Sequence, residues 1–228
     1  MIASLPDMGN VAGIGLDYLI KKLDAKLYAE IYAYWPPFVT YNNGIIDYSQ
    51  ISYKFYSVKE HNLIIFTGEF NPSDPRRLYD LCYEVLKMAD SLNIKMLYSI
   101  GAVLKEVIGL EKKVYGAVNN PELLVKLKEY DIEIISDEGR ITGFNGLILG
   151  LAKEYNIDAM CLLGEIDNPN VIQPKTSKAI LDKLLKILKI DSVNTSELDE
   201  EEKRKKFMEQ QMEYFDDVMR QNELPGIG

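Results

Sequence analysis

The sequence predicts an α/β fold, in which a largely parallel sheet is flanked by helices and is followed by a C-terminal helical tail. Short runs rich in β-branched and aromatic residues alternate with longer runs of helical period, as when helices connect parallel strands. Several of the short runs are apolar throughout, which indicates strands covered on both faces. The chain has 228 residues and is 47% hydrophobic, enough for a continuous core.

Seven segments are predicted to be strands, each bounded by turn-forming residues. They are residues 26–34, 51–56, 63–67, 95–100, 113–117, 132–135 and 159–163. A glycine-bearing turn, Leu5-Pro-Asp-Met-Gly-Asn-Val-Ala-Gly13, begins close to the N-terminus. Little chain precedes it, so we expect any strand before this turn to be short or missing.

Five segments with a helical period lie between these strands. They are residues 11–23, 75–92, 121–130, 145–155 and 174–188. Three of them open with proline at or near the first turn, where its missing N–H costs no hydrogen bond. Cys82 falls on the apolar stripe of the second helix and Cys161 within an apolar run, so both are expected to be buried and unreactive.

The charge pattern divides the chain into a body, residues 1–190, and a tail, residues 191–228. The whole chain carries a net charge of −9, and the tail holds eleven acidic residues against five basic ones. Three successive acid-to-base pairs, Glu200/Arg204, Glu201/Lys205 and Glu202/Lys206, have the spacing that stabilises a helix. We therefore expect a tail helix that need not rest on the body.

An apolar stripe follows these charged pairs in the tail. Met208, Met212, Phe215 and Met219 recur at intervals of four, three and four residues. The stripe either packs back on the body or docks on another subunit or protein, for which methionines provide an adaptable surface. Pro225 and Gly226 stop the helix and leave a flexible apolar end at residues 224–228. The predicted partner-binding residues of the tail are Met208, Met212, Phe215, Met219, Leu224, Ile227 and Gly228.

Composition excludes several classes of function. The acidic balance argues against nucleic acid as the main partner, because phosphates attract positive charge. His61 is the sole histidine and neither cysteine lies in a Cys-x-x-Cys pair, so we expect no metal site and no disulfide framework. The sequence shows neither a signal-like N-terminus nor an apolar run of membrane-spanning length, which predicts a soluble, cytoplasmic protein.

Four glycine-bearing turns follow or precede predicted elements and are expected to meet at one rim of the sheet. In an open parallel sheet, ligands bind outside the carboxyl ends of the strands. The candidate ligand-binding residues at this rim are Gly9, Asn10, Gly68, Glu69, Gly143, Asn145 and Glu165. Glu69, Glu165 and Asp167 supply carboxylates, but neither a nucleophile with its base nor a complete phosphate-binding motif accompanies them. The pattern gives no catalytic residue and no cofactor.

The turns, taken in order, resemble the PAC2 family, archaeal and bacterial relatives of the eukaryotic proteasome assembly chaperones. The resemblance spans residues 4–190. It rests on the motifs LPDMGNVAG, TGEFNPSDP, VYGAVNNPELLVKLKEYDIEI, GRITGFNGLILGLAKEYNIDAMCLLGEI and QPKTSKAILDKLLKIL. It implies a phosphorylase/hydrolase-like α/β core, a homo-oligomer of archaeal type and a non-enzymatic role in binding proteasome subunits.

One feature of the C-terminus departs from what the resemblance implies. Proteasome-binding relatives often end in a hydrophobic residue, a tyrosine and one final residue. Here the last three residues are Gly226, Ile227 and Gly228, so that motif is absent.

Three functions are consistent with these patterns. The leading one is an assembly chaperone homologue or adaptor that oligomerises and binds the proteasome α ring, or another protein, through its tail. The alternatives are a nucleotide-like or nucleoside-like ligand binder or enzyme that uses the glycine-lined rim, and a self-assembling protein whose tail seals its own interface.

Overall fold

An eight-stranded mixed sheet forms the centre of the protein. The computed structural model describes residues 1–33, 39–48, 51–106, 108–109, 111–135 and 138–208. The sheet contains β1 (Ile2–Ala3), β2 (Lys26–Ala33), β5 (Ile51–Val58), β6 (Leu63–Thr67), β7 (Met96–Leu104), β8 (Val114–Val118), β9 (Glu133–Ile134) and β10 (Asp158–Ile166). Two further strands, β3 (Thr40–Asn42) and β4 (Ile45–Asp47), form a separate hairpin between β2 and β5.

The strand order is β2-β5-β6-β1-β7-β10-β8-β9. The four central strands, β6, β1, β7 and β10, are parallel to one another, and β8 is parallel to β9. The other pairs, β2 with β5, β5 with β6 and β10 with β8, are antiparallel. The predicted largely parallel sheet is confirmed, and antiparallel strands extend it on both sides.

Helices cover both faces of this sheet. They are α1 (Val11–Lys22), α2 (Pro75–Ser91), α3 (Leu124–Glu129), α4 (Gly143–Leu151) and α5 (Pro174–Leu188), and α6 is described over residues 197–208. On one face, α1 and α5 bury residues such as Leu16 and Leu181 against the sheet. On the other face, α2 and α4 bury Leu86 and Ile148.

Most predicted elements are observed, and the differences are local. β1 is present although it has only two residues, and it lies between β6 and β7 in the centre of the sheet. The segment predicted as a helix over 121–130 begins with a 3-10 turn, Pro121–Leu123, before α3. Cys82 and Cys161 are fully buried, as expected.

The first part of the tail packs on the body, unlike the independent helix that its charge pattern suggested. Leu198 is fully buried in the same core cluster as α1 and α5. The Tyr18 hydroxyl donates to the Asn194 carbonyl at 2.5 Å, and Lys22 of α1 forms an ion pair with Glu197. These contacts fix the start of α6 against the α1 and α5 side of the sheet.

Candidate functional site

A cavity lies outside the carboxyl ends of β1 and β7. Its volume is about 600 Å³. Asp7 and Met8 come from the turn after β1, residues 101–104 from the end of β7, and residues 139–143 from the segment that leads into α4. The strands that follow β1 in the sheet, β2, β5 and β6, lie on one side of β1. The strands that follow β7, namely β8, β9 and β10, lie on the opposite side. This is the switch point at which open α/β sheets bind ligands.

Asp7 provides a half-buried acidic group of this cavity. Its Oδ1 accepts a hydrogen bond from the backbone N–H of Ala12 at 2.8 Å, which holds the carboxyl at the start of α1. Its Oδ2 is buried and accepts no hydrogen bond of ordinary length from the residues that the structure describes. Burial raises the pKa of Asp7 to about 6, and backbone N–H groups that face the carboxyl, those of Ala12 and Ala102 first, oppose that rise.

A hydrogen-bond network holds the turn that carries Asp7. The side chain of Asn145, at the start of α4, accepts from the Leu5 N–H at 2.7 Å and donates to the Leu5 carbonyl at 2.9 Å. Asn71, in the turn after β6, accepts from the Phe144 N–H at 3.1 Å. Because its amide is engaged on both sides, Asn145 acts mainly by positioning the turn after β1 against α4.

The other predicted rim residues are distributed over different sites. Gly143 and Asn145 line the cavity next to Asp7, whereas Asn10, Gly68 and Glu69 line a separate hollow of about 420 Å³ with Asp17 and Lys54. The predicted rim therefore consists of at least two depressions.

Gly9 and Glu165 are buried. Gly9 has a φ of +63° and exchanges backbone hydrogen bonds with the turn before α5, from its own N–H to Pro169 and from the Gln173 N–H to its carbonyl. A Cβ there would lie 2.6 Å from Gln173 Cγ, so the position requires glycine for both conformation and space. Glu165 lies within β10 and is 2% exposed, with no hydrogen-bond partner for its Oε1 among the described residues.

Sequence reasoning missed Asp7 and Asn71 as site residues. Each lies in a turn directly after a central parallel strand, Asp7 after β1 and Asn71 after β6. A carboxylate or amide in that position is the signal in the sequence that indicates such residues.

Comparison with known proteins places the chain in a family. The model of the PAC2 family matches residues 1–213. The chain belongs to the PAC2 family. An uncharacterized protein of Methanocaldococcus jannaschii is 33% identical over 216 residues, which cover 93% of this chain and 81% of that protein.

Two solved structures of Pyrococcus furiosus proteins are similar to this PAC2 protein. PbaB, described as an archaeal proteasome activator, is 27% identical, with a TM-score of 0.81 over 93% of this chain and 92% of that one. PbaA, described as an archaeal homolog of proteasome-assembly chaperone, is 23% identical, with a TM-score of 0.77 over 97% and 91% of the two chains. The family match and these likenesses confirm the resemblance inferred from the turns.

Large apolar side chains of this PAC2 protein are exposed along one stretch of chain, in the edge strand β2 and in the hairpin that follows it. We call this stretch the edge surface. Eight side chains in this stretch are each more than half exposed: Leu27, Tyr28, Tyr32, Val39, Tyr41, Ile45, Ile46 and Tyr48. Soluble proteins usually expose such residues singly, so this stretch is a candidate interaction site.

The described part of the tail helix changes from buried to exposed along its length. Glu202 is 9% exposed, whereas Phe207 and Met208 are 61% and 64% exposed. Met208 is the first member of the predicted apolar stripe. The remaining predicted tail residues, Met212, Phe215, Met219, Leu224, Ile227 and Gly228, lie outside the described residues.

The described part of this PAC2 protein offers little for covalent or metal chemistry. Burial raises the pKa of both the Cys82 and the Cys161 thiols to about 12, so neither is a nucleophile at neutral pH. His61 is half-buried in the short turn between β5 and β6.

Within the described ranges, no three His, Cys, Asp or Glu residues are placed to hold a metal ion, and no helix is long and apolar enough to cross a membrane.

Proposed function

We propose that this protein is a non-enzymatic, cytoplasmic, protein-binding factor that self-associates and binds proteasome α subunits through its C-terminal tail. The observation that carries a protein-binding role is the edge surface, with eight large apolar side chains exposed in one stretch of chain. The likeness to PbaB, described as a proteasome activator, supports the proteasome as the partner.

The edge surface suits self-association. Among the described residues, β2 is the last strand on its side of the sheet and pairs with β5. An edge strand presents backbone N–H and C=O groups that another strand can pair with, and proteins usually protect such edges with charge or cover. β2 carries Lys26 and Glu30, and its exposed tyrosines and leucine, with the isoleucines of the hairpin, offer apolar area for a second copy of the chain.

The tail suits partner binding because α6 is anchored at one end and exposed at the other. Buried Leu198 fixes its first turn, and the Lys178 ammonium lies 3.8 Å from the Asp199 carboxylate. Phe207 and Met208 begin the exposed apolar part. The predicted stripe then continues through Met219 towards the apolar residues 224–228.

The proposed partner is tested by mixing the full-length protein with purified archaeal proteasome α subunits and, in parallel, with purified β subunits. We expect the protein to co-elute with the α subunits in size-exclusion chromatography, with a mass by light scattering that equals a defined complex. Separate elution from α subunits, or equal co-elution with both subunit types, would contradict the proposed partner.

A further inference from the structure

The outer edge of β2 is the place at which a second copy of the chain can add to the sheet. β2 runs from Lys26 to Ala33 and pairs with β5 along its inner edge. Within the part of the chain that the structure describes, no strand pairs with its outer edge. The backbone N–H and C=O groups that point outwards there can therefore pair with another strand.

A bulge divides β2 into two parts. The register with β5 shifts between Leu27 and Ala29, so that Tyr28 is the extra residue of the bulge. Bulges and charged residues both protect an edge strand from pairing. The bulge and Lys26 lie in the first part of the strand, residues 26–28, whereas residues 29–33 keep a regular register with β5. This second part is the five-residue segment that a further strand can pair with.

Glu30 is the charged residue of this second part, and hydroxyl groups of its own chain already hold its carboxylate. The Ser52 hydroxyl donates to Glu30 Oε1 at 2.8 Å, and the Tyr32 hydroxyl donates to Glu30 Oε2 at 3.2 Å. Glu30 and Tyr32 are two residues apart, so they lie on the same face of the sheet. Ile31 lies on the opposite face, where it packs at the margin of the core that α2 and α4 cover.

The charge and the bulge together select one register for antiparallel pairing of two such strands. In a twofold arrangement with the axis normal to the sheet, residues of the same face stand opposite each other. Pairing centred on Glu30 sets two carboxylates directly opposite, which is unfavourable. Pairing centred on Ala29 brings the bulged Tyr28 into the ladder. Pairing centred on Ile31 uses all five residues and sets each Glu30 opposite Tyr32 of the other copy.

We propose that two copies join their β2 strands antiparallel about Ile31, so that one continuous sheet runs through both copies. The inference rests on the self-association proposed above and gives it a defined geometry. Each Tyr32 hydroxyl faces Glu30 of the second copy, the kind of carboxylate to which it donates within its own chain. The Ile31 side chains of the two copies meet on the other face of the joined sheet.

The same geometry covers exposed residues outside the paired segment. The chain leaves β2 after Ala33 and forms the hairpin of β3 and β4 before it returns to β5. In the antiparallel arrangement this end of one strand lies beside the bulge of the other, where Leu27 and Tyr28 are 54% and 52% exposed. The exposed isoleucines of the hairpin and these two side chains then cover one another. The edge surface is thus complementary to itself, as a twofold interface requires.

Single added cysteines in the full-length protein test this register. Cys82 and Cys161 are buried, so an added cysteine at the edge is the reactive thiol of the folded protein. In a twofold pairing, the central residue alone stands opposite its own copy, at a distance that a disulfide can bridge. Under mild oxidation with copper phenanthroline, Ile31→Cys is expected to form a covalent dimer on non-reducing gels.

The neighbouring residues provide matched controls and a second test. Glu30→Cys and Tyr32→Cys, each alone, are expected to form the covalent dimer at least tenfold more slowly than Ile31→Cys. Because Glu30 of one copy faces Tyr32 of the other in the proposed register, these two variants co-expressed are expected to cross-link at least tenfold faster than either alone. Both residues lie on the solvent side of the edge strand, so both variants are expected to fold.

Light scattering on the wild-type protein separates failure of the register from failure of the self-association. If the wild type self-associates but Ile31→Cys cross-links no faster than Glu30→Cys, the proposed pairing is overturned and the self-association stands. A wild type that is monomeric at every concentration would overturn both. If thermal unfolding shows that Ile31→Cys does not fold, the co-expressed pair decides, and a rate no higher than that of either variant alone overturns the pairing.

Discussion

At the scale of single residues, the position of Asp7 shows how the fold gives one carboxyl group unusual properties. The turn after β1 places it at the start of α1, where the Ala12 N–H satisfies one oxygen, while burial leaves the other without an ordinary hydrogen bond in the described structure. Burial disfavours the ionised form and raises the pKa from 3.8 to about 6. The folded protein therefore holds a proton at Asp7 more tightly than the unfolded chain does.

This shift predicts the pH dependence of stability. The folded state binds more protons than the unfolded state between about pH 4 and pH 6, so Asp7 lowers the free energy of unfolding as the pH rises through that window. A shift of about two units corresponds to about 3 kcal/mol at most. Asp7→Asn is expected to remove about 1 to 3 kcal/mol of this fall, measured by urea unfolding from pH 4 to pH 7. Parallel pH profiles for wild type and variant would refute the assignment.

At the scale of elements, the hairpin of β3 and β4 is exposed at every residue of both strands. Tyr41, Ile45 and Ile46 are each at least 70% exposed. A two-stranded hairpin is only marginally stable by itself in water. Association with a second copy through the edge surface would bury these side chains and stabilise the hairpin.

The double substitution Ile45→Ser and Ile46→Ser tests this role of the hairpin. Both side chains are exposed, so the stability of the chain is expected to change by less than about 0.5 kcal/mol. Self-association, measured as mass by light scattering over a range of protein concentrations, is expected to weaken at least tenfold. Val125→Ser is the matched control, because Val125 is 71% exposed on α3, outside the edge surface. Equal masses for all three proteins would contradict the assignment.

Local signals in the sequence were enough to predict the elements that have clear boundaries. β6 and α5 occupy the predicted ranges, because an apolar run between turns defines the first and an N-terminal proline followed by an amphipathic stripe defines the second. β1 has two residues, too few to show a period, and its place depends on pairing with β6 and β7. The hairpin had a usable signal, Asn43-Gly44 between apolar residues, which favours a tight turn.

At the scale of the whole molecule, family and fold were predictable from the motifs, but the arrangement of the site was not. The parallel-sheet rule brings the turns to one edge, but it does not say into which depression each side chain points. Asn10 lies in the turn after β1 and Asn145 in the first turn of α4, and they line separate depressions. Glu165 was expected on the rim, but β10 extends to Ile166 and buries it. These outcomes depend on contacts between distant parts of the chain.

The packing of the tail also becomes clear only at this scale. The charged pairs of α6 favoured a helix independent of the body, whereas Leu198 and Glu202 are buried against it. A truncation that removes the whole tail would uncover this core. A chain of residues 1–206 keeps both anchors and removes Phe207, Met208 and everything beyond them.

The most direct test of the central claim is the affinity of immobilised archaeal proteasome α rings for the full-length chain and for residues 1–206, measured by surface plasmon resonance. Unfolding curves and light scattering serve as controls that the truncated chain keeps its fold and self-association. If the tail docks on the α ring, the full-length chain binds and the truncated chain binds at least tenfold more weakly. Equal affinity of the two chains, or no binding of the full-length chain, would contradict the claim.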